Sequence, residues 1–168
     1  MYQIGEQVIY GIHGVCSVAG VEEKRIDGRC VSYLILEPIH KGDSRYLVPS
    51  HNQAAMGKIR RILSEEALVA LLDSDAVRNT AWIKDENQRK QEYRESIVSG
   101  DPTWLMQLVR MLYQHRQTQK ASGRKIHLCD ENFLRDAERL LTEEISIVMN
   151  MDQVQAKQYL QQRLKEDA

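Results

Sequence analysis

The hydrophobic period of the chain changes at Pro49, and that change limits the possible folds more than any other feature. Before it, apolar residues come in short strand-like runs: 8–10, 15–18, 31–36 and 46–48. Between them stand turn signals, Gly11 with Gly14, Asp27-Gly28 and Gly42-Asp43, residues that tolerate positive φ or form local side-chain turns. No helix-length segment separates the runs, which excludes βαβ units. A small, closed or half-closed antiparallel barrel is the expected way to bury them.

After Pro49 the spacing becomes helical. Ser64 is expected to cap a helix over 65–72, with Glu65 and Glu66 well placed in its first turn. Thr80 is expected to cap a second, running to about Val98 and stopping at Ser99-Gly100. Asp101-Pro102 restarts the chain with an acidic cap followed by proline at the first helical position. Leu105, Leu108, Val109 and Leu112 give that helix its apolar face. Residues 117–125 read as a polar loop. Asp130 then opens a helix with Phe133, Leu134, Ala137, Leu140, Leu141 and Ile145 inward, and Asp152 opens a last one with Leu160 and Leu164. The expected fold is α+β, a barrel over 1–54 followed by an all-α bundle over 58–168, with the boundary between Pro49 and Ile59 where Gly57 interrupts both periods.

At 168 residues and 42% hydrophobic, the chain can bury a substantial core, and its net charge of -1 rules out a polycation drawn bodily to nucleic acid. Cys16, Cys30 and Cys129 are an odd count without metal-ligand spacing, and read as reduced, buried thiols. No apolar run approaches a membrane span, so the expected address is the cytoplasm.

Catalytic motifs are missing. Gly11, Gly14 and Gly20 have the wrong spacing for a phosphate loop and open no helix. His13, His40, His51, His115 and His127 are scattered, with no partner at metal-ligand spacing. No serine sits in a strained elbow, and adjacent pairs such as Glu65-Glu66 and Glu143-Glu144 diverge by about 100° on a helix. The expectation is a protein without catalysis, cofactor or metal.

Charge, by contrast, is unevenly spread. Between Asp101 and Asp130 there is no acidic residue, while Arg110, His115, Arg116, Lys120, Arg124 and Lys125 all lie there. Together with Lys84, Arg89, Lys90 and Arg94 of the preceding helix, they can form one positive face suited to phosphates. Asp85, Glu86, Glu92 and Glu95 on that same helix support the plainer reading of a solvated surface. Trp82, placed at the first turn, can project as a stacking or wedging side chain, or pack against Leu71 or Leu72 as a core anchor. Trp104, among Leu105, Leu108 and Leu112, reads as core.

Several ordered motifs resemble the CarD/CdnL family of bacterial transcription regulators. They are the opening IGEQVIYGIHGVCSV with Gly5, Val8, Tyr10, His13 and Gly14, then IDG, YLIL and LVPS, then Trp82, Arg89, Ser99-Gly100-Asp101 and an LVRML helix. The resemblance spans essentially the whole chain. It implies a Tudor-like or SH3-like barrel, similar to a domain of transcription-repair coupling factor, that docks on the RNA polymerase β subunit. It further implies a helical domain lying against promoter DNA, without sequence preference, at the upstream edge of the transcription bubble. The family's tryptophan wedge falls on Trp82, and its phosphate contacts on Arg89 and Lys90, then Lys84, Arg94, Arg110 and Arg116. Leu47 stands where relatives place a basic polymerase contact, with Lys24, Arg25 and Arg45 able to supply charge instead. Gly11 follows Tyr10 where proline is common. The implied protein is a monomer, held at the nucleoid through polymerase. A protein-protein adaptor with Trp82 buried and no DNA contact is the alternative reading.

Overall fold

The computed structural model describes residues 1–40 and 42–165, so the end of the expected helical domain, 166–168, lies outside them. The chain divides into two compact units between Ile62 and Leu63.

The first unit is one antiparallel sheet of five strands, β1 (Gln7–Tyr10), β2 (Val15–Ile26), β3 (Arg29–Pro38), β4 (Tyr46–Pro49) and β5 (Ile59–Arg61), in the order β4-β3-β2-β1-β5. Each strand contributes to a single buried cluster, Val8, Cys16, Val18, Leu34, Leu36, Val48 and Ile59, so the sheet wraps around its own core. Helix α1 (Gln53–Met56), capped by the Asn52 side chain, lays Ala55 and Met56 against that cluster. β5 falls beyond the expected barrel end at 54, because Ile59 pairs with Tyr10 and fills the core beside it. A three-residue strand has no readable period of its own.

The opening motif serves this fold. Gly14, at φ 74°, turns the chain back so that the Tyr10 amide donates to its carbonyl. The rings of Tyr10, His13 and Tyr46 then gather at centroid separations of 4.9, 4.2 and 5.7 Å. Asp27 and Gly28, both with positive φ, form the two-residue turn that joins β2 to β3 in the hand matching strand twist. Both strands are buried only at their far ends, so the hairpin tip stands clear of the core.

The second unit is all helical: α2 (Glu65–Leu72), α3 (Asp75–Arg78), α4 (Glu86–Ser99), α5 (Pro102–Ala121), α6 (Leu128–Val148) and α7 (Gln153–Lys165). Ser64 and Asp101 accept from the amides of Ala67 and Trp104, and Gly100 ends α4 in the left-handed region at φ 66°, all as their residue types demand. Leu68, Leu72, Tyr93, Leu105, Leu112, Leu134, Leu141, Ile145, Leu160 and Leu164 are among the core residues.

Four expectations fail here. α5 continues to Ala121, through the first part of the expected loop, and α6 opens at Leu128, two residues before Asp130. Trp104 is not core: it is 48% exposed. The buried stripe of α5 is centred near Val109, and Trp104 lies about 140° round the helix from it. Cys30 is also exposed, since it stands near the hairpin tip, and Cys129 is half-buried, whereas Cys16 is buried.

Candidate nucleic-acid interface

Trp82 is not on a helix. Residues 80–85 form an irregular segment between α3 and α4, and Thr80 ends the first helix instead of starting the second, its hydroxyl donating to the Val77 carbonyl at 2.8 Å. Asp85 takes the capping role, accepting from the Gln88 amide at 2.7 Å. In sequence, threonine suits both positions, so propensity could not tell the two apart.

The indole is half-buried and packs on the helical core. His115 of α5 stacks on it, with ring centroids 3.8 Å apart and planes 14° from parallel. The Arg89 guanidinium of α4 lies with Cζ 4.5 Å from the indole centroid, within cation-π range. Burial holds the His115 imidazole below its ordinary pKa, against a weaker upward pull from Asp130, so a neutral ring stacks on the indole near neutral pH.

Arg89 is itself buried, its guanidinium turned into the protein. Its Nε and Nη2 face the two carboxylate oxygens of Asp130 at 3.4 and 3.5 Å, and Nη1 donates to the Ile83 carbonyl at 3.2 Å. The reason was present in the periodicity: Arg89 lies one turn before Tyr93, which is buried, so both share the inward stripe. Arg110 is buried as well. At 3% exposure it donates to the carbonyls of Arg78 and Leu164, each at 3.2 Å, tying together the C-terminal ends of α3 and α7.

Lys84, Arg94 and Arg116 are exposed, Lys84 two residues from Trp82 and Arg116 next to His115. Lys90 is half-buried and ion-paired with Glu86 at 2.6 Å, which holds the carboxyl low and the ammonium high. The pair runs along the solvent side of α4 as an i,i+4 contact. Sequence reading missed Asp130, which looked like a helix start, and placed His115 in the basic stretch without pairing it with Trp82. Only the packing of α4, α5 and α6 brings them to the tryptophan.

In the sheet unit, Lys24 and Arg25 are exposed at the β2-β3 hairpin, and Lys24 approaches Glu22 at 3.7 Å. Arg45 precedes edge strand β4 and is paired with Glu37 at 2.8 Å, while Leu47 on β4 is 38% exposed. Leu47 pairs with Ile35 and Lys24 with Val31, so the two groups stand about 13 Å apart along β3.

Two family models account for nearly the whole sequence. The model described as CarD-like/TRCF RID domain matches residues 2–63, and the one described as CarD, C-terminal domain, matches 66–161. The chain belongs to the CarD family. Its first unit is a CarD-like domain of Tudor-like fold, the kind that mediates interaction with RNA polymerase β. This CarD family member is accordingly a transcription-associated, polymerase-interacting protein, built from domains of a non-enzymatic interaction family. Among its described residues no helix is long and apolar enough to cross a membrane, and no cluster of His, Cys, Asp or Glu is arranged to hold a metal.

Proposed function

We propose that the protein docks on the polymerase β subunit through its sheet unit and lengthens the life of the open promoter complex through Trp82. The docking surface is edge strand β4 with Leu47 and Arg45, whose outer backbone groups suit strand addition, together with Lys24 and Arg25 at the hairpin. Trp82 meets the duplex at the upstream edge of the bubble, filling an opened base step. Lys84, Arg94 and Arg116 hold phosphates beside it. Arg89 and Arg110, with their charges engaged inside the protein, do not, and Lys90 is occupied by Glu86 on the surface of α4.

The observation that carries this reading is the setting of Trp82: a half-buried indole on an irregular segment, braced by a guanidinium and an imidazole, with exposed Lys84 alongside. Filling an unstacked step with an aromatic ring is worth roughly 1–3 kcal/mol. Since about 1.4 kcal/mol is a factor of ten, one such contact lengthens the open state by about 5- to 150-fold. The small net charge fits as well, because docking on polymerase raises the local concentration and little intrinsic DNA affinity is needed.

The test is the lifetime of open complexes formed by the cognate polymerase on a slow-melting promoter, with the wild type and with Trp82→Ala. Extension by the wild type and its loss in the variant, at equal polymerase binding, support the wedge. The packing of Trp82 on the helical core favours the adaptor reading instead. Equal lifetimes with both proteins would decide for it.

A further inference from the structure

The segment that carries Trp82 has no regular secondary structure, yet it is pinned on both sides of the ring. Thr80 is tied to Val77, the Ile83 carbonyl to Arg89, and Asp85 to Gln88. Arg89 thus works in three directions: toward the backbone beside Trp82, toward the face of the indole, and toward Asp130. Its planar fork can serve all three at once, which a lysine ammonium on a flexible stem cannot. It cannot swing away, because Asp130 is 1% exposed in the first turn of α6 and faces two of its nitrogens. His115 contributes the remaining brace from α5.

A buried ion pair is a poor way to stabilise a core, since apolar residues of similar volume commonly do as well. What this pair does do is fix the guanidinium that touches the Ile83 carbonyl and the indole face. We infer that Arg89, Asp130 and His115 are positioning residues that set the pose of Trp82 in the free protein, so that the wedge is preformed and not shaped on meeting DNA. The functional half of this inference rests on the open-complex role proposed for Trp82; the structural half does not.

The experiment uses the full chain carrying Trp104→Phe, so that Trp82 alone emits. Into it go His115→Ala, His115→Phe, Arg89→Lys and Asp130→Asn, each checked for folding by circular dichroism and urea melting. In the absence of DNA and polymerase, His115→Ala and Arg89→Lys are expected to shift the Trp82 emission to the red and to increase acrylamide quenching. His115→Phe, which keeps a flat ring in place, restores both. With polymerase on the slow promoter, His115→Ala cuts the lifetime extension by about 2- to 12-fold, the range of one aromatic pair contact, while the salt dependence stays unchanged.

Unaltered emission and quenching in folded variants would overturn the inference. So would an Arg89→Gln variant that keeps the Trp82 emission but lowers the salt slope by about one, since that marks a phosphate contact. If the emission shifts as expected while Trp82→Ala leaves the lifetime untouched, the positioning network stands and the wedge falls.

Discussion

Replacing Asp130 with alanine tests the centre of the helical unit. The substitution leaves the Arg89 guanidinium buried, 6% exposed on its side chain, without its carboxylate. Removing one member of a buried pair typically costs about 3–5 kcal/mol, mostly the penalty of stranding the other charge. Here the contacts are 3.4 and 3.5 Å, longer than the roughly 2.7–2.9 Å of strong charge-assisted bonds, which places the pair at the low end. Asp130 also sits in the first turn of α6, where a negative charge adds about 0.3–1 kcal/mol. We expect a loss of about 3.5 kcal/mol, measured by urea titration followed by far-UV circular dichroism, which reports mainly on the helices. The double substitution Arg89→Met with Asp130→Leu removes both charges and should recover to within about 1 kcal/mol of the wild type. A single-variant loss below about 1 kcal/mol would refute the pairing, and with it the claim that Arg89 is withheld from phosphates.

Gly100→Ala forces a Cβ into the left-handed region at φ 66° and should destabilise the helical unit by about 1–2 kcal/mol, read from the same urea midpoints. For His115, the folded pKa lies below the unfolded value, so between the two the unfolded chain binds more protons and stability falls as pH falls. This loss begins near the ordinary histidine pKa and ceases below the folded one. His115→Gln should flatten that part of the urea-midpoint against pH curve; an unchanged slope would show that His115 is not held neutral by burial.

Some of the protein was legible residue by residue because the chemistry concerned is local. Ser64, Asp101-Pro102 and Gly100 act on amides and dihedrals within four residues, so they name helix ends without reference to anything distant. Asp27-Gly28 names its turn for the same reason, and the short apolar runs before Pro49, with no helix-length segment between them, already implied a sheet that curls on its own core. The tryptophan and its basic neighbours were visible as a candidate site. Which of those cations face solvent was only partly visible, through the stripe shared by Arg89 and Tyr93.

What the tertiary structure alone decided is set by groups far apart in the chain. β5 exists because β1 offers it an open edge, and Trp104 is exposed because the neighbours of α5 occupy the other side of that helix. Thr80 closes α3 and Asp85 caps α4, which leaves Trp82 on an irregular segment. Arg89 and Arg110 turn inward because Asp130, Ile83, Arg78 and Leu164 present oxygen atoms that answer a buried guanidinium. A charged side chain is buried only where such partners converge, and convergence across 41 or 54 residues of sequence belongs to the packing of helices.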